Sequence, residues 1–218
     1  DSFNMFKSTF EEAFIKYHKI TSIAHPVSNW NDVTEGLPTT DSRIKTVRLR
    51  VARNLVYKNV GDTVFMPGIC KKDLEHVESK VKYSLTDVSG TFYNLSDPAV
   101  ELVAFSNTDR FSTAAGIFRN WPEHRLVWVD ESKKTIVWVN EEDHIRVFSI
   151  GNADECSTIV SSVTNLLTHM EKTLVFSKHE KYGYLTSCPS NVGTGLRFSV
   201  LVQLKNMARE YVLVVKTQ

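Results

Sequence analysis

Apolar residues recur along this chain with two different periods, and those periods divide it into elements. Phe3, Phe6, Phe10, Phe14 and Tyr17 fall at helical spacing with Lys7, Glu11, Glu12 and Lys16 between them, which predicts an amphipathic helix with an aromatic stripe. Residues 22–40 lose all period and carry His25-Pro26 and Glu35-Gly-Leu-Pro38, the marks of a long connector. From Arg43 to Arg53 the period becomes two. Lys45, Val47, Leu49 and Val51 fall on one face of a strand, and Ile44, Thr46, Arg48 and Arg50 on the other. Residues 61–68 read as loop, and Lys71 to Ser84 as a helix with Leu74, Val77 and Val81 inward.

The second half is richer in strands. Arg125-Leu-Val-Trp-Val129 and Thr135-Ile-Val-Trp-Val139 flank a polar turn and predict a hairpin, followed by another strand at Ile145 to Ile150. Ile159, Val160, Val163, Leu166, Leu167 and Met170 repeat at helical spacing. Tyr182–Ser187, Arg197–Leu204 and Tyr211–Lys216 are further strand-like runs. The sum is an α+β fold, an antiparallel sheet covered on one side by a few helices. It divides into residues 1–40, helix and connector, and residues 41–218, the sheet domain.

Composition narrows the function. Of 218 residues, 26 are Lys or Arg and 25 are Asp or Glu, so no basic surplus argues for nucleic acid. No apolar run approaches the ~20 residues of a membrane span, and the first residues lack the features of a signal peptide. Cys70, Cys156 and Cys188 are too few and too dispersed for a disulfide framework or a zinc site. The expectation is a reduced, cytoplasmic chain.

Three groups of residues could carry chemistry. Glu141-Glu142-Asp143 sits at a strand-to-strand turn framed by Trp138-Val139 and Ile145, with Arg146 three residues on. An acidic turn is usually solvated, but carboxylates at the mouth of a buried sheet can grip a cation or accept a proton. Cys188-Pro-Ser-Asn-Val-Gly-Thr-Gly195 opens on a thiol and gathers backbone donors, without Walker or Rossmann spacing. Arg48, Arg50, Arg146 and Arg197 stand on three strands. On one sheet face they would form a phosphate clamp, because each planar fork grips phosphate oxygens bidentately.

Together, Val47-Arg-Leu-Arg-Val-Ala-Arg53, Val137-Trp-Val-Asn-Glu-Glu-Asp-His-Ile-Arg146 and the stretch from Tyr182 through Cys188-Pro-Ser-Asn-Val-Gly-Thr-Gly-Leu-Arg197 to Val200 resemble the phosphagen (ATP:guanidino) kinases. Asp109-Arg-Phe111 and Trp121-Pro122 with Arg125 match in the same order. The resemblance implies that Arg48, Arg50, Arg146 and Arg197 bind nucleotide phosphates, that Glu142 grips the guanidino group and accepts its proton, and that Cys188 lies beside the guanidinium. It also implies ATP or ADP with Mg²⁺ on the phosphates, and phosphoryl transfer achieved by positioning and charge neutralisation.

The departures are as specific. Leu102 stands where the family has an adenine-side histidine, and Glu123-His-Arg-Leu126 replaces a glycine-bearing stretch. The helical N-terminal domain is expected to be reduced to the first forty residues. After Leu204 the family's mobile loop, with a further phosphate-contacting arginine, is expected to be absent. The expectation is a degenerate phosphagen-kinase-like protein, a nucleotide- or anion-binding or assembly component with weak or no kinase activity. The alternative is an active ATP:guanidino phosphotransferase. The N-terminal aromatic stripe is expected to dock on a protein partner or a second copy of the chain.

Overall fold

A computed structural model describes residues 5–23, 41–56, 63–97 and 113–204. Its frame is a six-stranded antiparallel sheet in the order β2-β3-β4-β5-β1-β8. The strands are β1 (Ile44–Arg53), β2 (Gly90–Asn94), β3 (Leu126–Asp130), β4 (Thr135–Val139), β5 (Ile145–Asn152) and β8 (Leu196–Val202). A separate two-stranded ribbon is formed by β6 (Lys178–His179) and β7 (Gly183–Tyr184). The helices are α1 (Lys7–His18), α2 (Lys71–Ser84) and α3 (Cys156–Met170).

The alternation read in β1 sorts the sheet's two faces. Val47, Leu49 and Val51 are buried, and their cross-strand neighbours Val147 and Phe198 are buried with them. Leu126, Trp128, Val137 and Val139 continue this apolar face across β3 and β4. Helix α3 covers it with Ile159, Val160, Val163, Leu166, Leu167 and Met170, the residues of its periodic stripe. Helix α2 begins at a capping box in which Cys70 and Asp73 satisfy each other's backbone donors, and it turns Val77 and Val81 into the same core. Between β3 and β4 the turn is pinned by Asp130, whose Oδ1 accepts from the backbone N–H groups of Lys134 and Thr135.

Two expectations are corrected and one strand is added. Tyr182–Ser187 is not a strand of the main sheet: only Gly183 and Tyr184 pair, with Lys178 and His179. Gly183 has φ of 77°, and the backbone of Tyr184 is spent on Gly193, so the segment turns instead of extending. Strand β2 was not anticipated; it is a short edge strand, mostly exposed, and carries no apolar alternation. The aromatic stripe of α1 is not left entirely to a partner. Phe14 is buried against Tyr182 and Val192, with Phe10 beside it, while Phe6 and Tyr17 are exposed. Phe3, most of the connector and Tyr211–Lys216 lie outside the described residues.

Candidate phosphate and guanidinium site

Strand register assembles the arginines. Arg48 and Arg50 are two residues apart on β1 and share the face opposite the core. Arg197 on β8 is the direct partner of Arg50, and Phe148 on β5 is its partner on the other side. Arg146 stands two residues before Phe148, so it shares that face as well. Arg50, Arg146 and Arg197 line a cavity of about 270 Å³ together with Glu141, Glu142 and Asn191. Arg48 does not line it; its guanidinium rests over the Phe148 ring, 4.7 Å from the centroid.

These cations are held close and partly dried. Burial, followed by the charges of Arg146, Arg48 and Arg197, pulls the Arg50 pKa down to about 10. The same causes lower Arg48, burial first, then Arg146 and Arg197. Among the described residues no carboxylate forms an ion pair with Arg48, Arg50 or Arg197. Arg146 differs, donating to Glu141 Oε1 and to Glu142 Oε2, each at 2.8 Å. Burial raises the pKa of Glu141, against the opposing pull of Arg146. Four guanidinium groups against two carboxylates leave this face cationic.

The acidic turn is tight. Asn140 takes φ of 59°, and its N–H donates to the carbonyl of His144. Its amide nitrogen donates to the carbonyls of Leu74 and His124, which fixes the turn to α2 and to the segment before β3. His144 is fully buried. Its Nδ1 accepts from the Leu55 N–H, its Nε2 faces the Val64 carbonyl at 2.8 Å, and burial drops its pKa to about 4. The ring is therefore neutral, with the proton on Nε2.

Cys188 opens a 3₁₀ turn, Pro189–Asn191, and its Sγ lies 2.9 Å from Ser190 Oγ. Ser190 and Asn191 line the cavity and Cys188 does not. The far end of this loop is clamped to β1. The Arg53 guanidinium, stacked 3.5 Å from the Tyr184 ring centroid, donates to the Thr194 carbonyl, and the Ala52 N–H donates to the Gly195 carbonyl. Gly195 has φ of 64°, and a Cβ there would meet the Ala52 carbonyl oxygen at 2.7 Å, so only glycine closes this contact. Helix α1 packs on the same loop.

Residues beyond the four arginines, Glu142 and Cys188 also build the site. Arg125 is fully buried and donates to the carbonyls of Ile117, Arg119 and Glu123, which holds Ile117 in the cavity wall. Asn54, Asp143, Glu141 and Asn191 are the others. Arg125, Glu141, Asp143 and Asn191 lie within motifs read from the sequence, whereas Asn54 carried no signal there. Leu102 and Asp109–Phe111 lie outside the described residues.

Residues 69–214 match the family model of the ATP:guanido phosphotransferase C-terminal catalytic domain. An arginine kinase of Anthopleura japonica is 35% identical over 228 residues, covering 97% of this chain and 31% of that protein. An arginine kinase of Turbo cornutus is 32% identical over 225 residues, with 95% and 62% covered. The structure of the substrate-free duplicated taurocyamine kinase of Schistosoma mansoni superposes with a TM-score of 0.78 at 28% identity, covering 91% of this chain and 30% of that one. The crystal structure of a lombricine kinase gives a TM-score of 0.78 at 26% identity, covering 94% and 61%. The chain thus spans less than two thirds of each. With that match over most of the sheet domain and the same antiparallel fold, this chain belongs to the ATP:guanido phosphotransferase (phosphagen kinase) family.

Proposed function

We propose that this chain binds the polyphosphate of a Mg²⁺-bound adenine nucleotide on its arginine face and, acting alone, transfers phosphate weakly or not at all. The observation that carries this reading is the convergence of Arg48, Arg50, Arg146 and Arg197 on one face, three of them without a carboxylate partner among the described residues. Mutually repelling, partly buried cations are stabilised by an anion of high charge density. Among the described residues no group of three His, Cys, Asp or Glu side chains is placed to hold a metal ion. Mg²⁺ would therefore come bound to the nucleotide, where it neutralises charge between the phosphates. Weak turnover is supported by Glu142, whose carboxylate is committed to Arg146, and by Leu102 at the adenine-side position. The three free cysteines favour a reducing, cytoplasmic setting, and among the described residues no helix is long and apolar enough to cross a membrane.

The alternative is phosphoryl transfer to a guanidino compound. Its support is the physical link between the loops of Glu142 and Cys188: the Ser187 N–H donates to Asp143 Oδ1 at 2.7 Å. In that reading Glu142 takes the proton of the attacking nitrogen while the arginines hold the transferred phosphoryl group.

Calorimetric titration with Mg²⁺–ADP tests the first reading: binding lost in Arg50→Ala supports it, and no heat at millimolar nucleotide rejects it. A coupled ADP-release assay with arginine, creatine, taurocyamine and protein arginine separates the two. Turnover of ~1–100 per second would establish the alternative.

A further inference from the structure

Asp143 lies between the two loops that carry Glu142 and Cys188, and it is fully buried. Its Oδ1 accepts from the Asn54 side-chain amide and from the Ser187 N–H, each at 2.7 Å. Its Oδ2 is buried with no hydrogen-bond partner among the described residues. Burying a carboxylate with one oxygen unmatched is costly, and burial pushes its pKa up to about 6. Asn54, the residue after β1, completes a bracket. It donates also to the Leu185 carbonyl, and its Oδ1 accepts the His144 N–H. One acid–amide pair therefore ties the end of β1, the acidic turn and the cysteine loop.

We propose that Asp143 is a positioning residue that sets the separation of Glu142 and Cys188. Each of these is the immediate chain neighbour of one end of the 2.7 Å Asp143–Ser187 bond, one peptide unit of ~3.8 Å away. A charge-assisted bond to a backbone N–H is shorter and stronger than a neutral one. Without it, the turn at 140–144 stays fixed by Asn140 and His144, and the cysteine loop is released at its Ser187 end. The inference rests on reading Glu142 and Cys188 as the pair that handles a guanidinium.

Alkylation of the three thiols provides the test. Cys70 is an exposed reference, Cys156 a buried reporter of folding, and Cys188 the readout. In Asp143→Ala the Cys188 rate relative to Cys70 should rise at least ~5-fold while Cys156 stays protected. Asp143→Asn, which keeps an oxygen acceptor for both donors, should restore the ratio to within about twofold. An unchanged ratio in Asp143→Ala, or no rescue by Asp143→Asn, overturns the proposal. Should Asp143→Ala fail to fold, amide exchange in the parent decides: a protected Ser187 N–H supports the tether and exchange at the free-peptide rate rejects it. Failure of the guanidino reading is a separate result, seen as no slowing of Cys188 alkylation by any guanidino compound in the parent.

Discussion

Arg50 on β1 and Arg197 on β8 are direct cross-strand partners, two guanidinium groups at a position where neighbouring strands ordinarily pair opposite charges. With Arg146 and Arg48 pressing on the same face, the pair costs stability whenever no anion lies between them. Replacing Arg197 by Gln should therefore stabilise the ligand-free protein by ~0.5 kcal/mol. The same change should sharply reduce the rise in thermal midpoint produced by Mg²⁺–ADP. Thermal melts with and without nucleotide check both signs; a variant less stable than the parent without ligand would show that the pair is not repulsive.

Glu142 competes with any incoming phosphate for Arg146, since its Oε2 already accepts from the guanidinium at 2.8 Å. Glu142→Gln weakens that competitor and leaves Glu141 in place. Mg²⁺–ADP affinity should increase ~3- to 10-fold, about 1 kcal/mol. Any guanidino-dependent turnover should fall ~100-fold or more, since in the phosphotransferase reading Glu142 is the proton acceptor. Calorimetry and the coupled assay read these separately, and weaker nucleotide binding in the variant would contradict the competition.

Asp143 and His144 are adjacent, both fully buried, and shifted so that their effects on stability oppose each other. The Asp143 pKa is raised from 3.8 to about 6, first by burial, against its bonds to Ser187 and Asn54. The folded state then binds more protons than the unfolded one between about pH 4 and 6, so this group favours folding increasingly as pH falls through that window. His144 is lowered from 6.5 to about 4, again first by burial. Its neutral form is favoured in the fold, so its contribution is present above about pH 6.5 and lost as pH falls toward 4. In the parent the two contributions largely cancel. Asp143→Asn leaves His144 unopposed, and its stability should drop by about 2 kcal/mol more than the parent's between pH 6.5 and 4. Urea titrations across that range measure the difference; parallel curves would sink the assignment.

Phe14 holds α1 against Tyr182 and Val192, with the Lys181 ammonium and the Tyr182 hydroxyl both donating to Glu11 nearby. Phe14→Ala should detach the helix at a cost of ~2–3 kcal/mol or less, given the small size of this cluster. Proteolysis within residues 7–18 should accelerate while the melting of the sheet domain is little changed. Phe6→Ser, at an exposed position, should leave the monomer unaffected. It should lower self-association measured by sedimentation if the outer side of α1 is a contact between copies.

Local periodicity determined a large part of this protein. The alternation from Ile44 to Arg53 was sufficient to put Arg48 and Arg50 on one face and Val47, Leu49 and Val51 on the other, because side-chain direction in a strand depends only on the pleat. The stripe from Ile159 to Met170 was likewise enough to define the helix that covers the core. Short elements without their own period were not legible. β2 is held by β3 and not by its own pattern, and the stretch at 182–187 is bent by a positive-φ glycine and by bonds to Gly193.

Tertiary structure decided the site. Arg197 meets Arg50, and Arg146 joins them, only through the pairing register of strands about a hundred residues or more apart in the chain, a long-range choice made by burial of the shared apolar face. Asn54 carries no mark in the sequence, yet it bonds to Asp143 and Leu185, 89 and 131 positions away. Hydrogen bonds of that span exist only after the sheet has brought the loops together, so the sequence could name the candidate site residues but not the acid–amide pair that holds two of their loops in place.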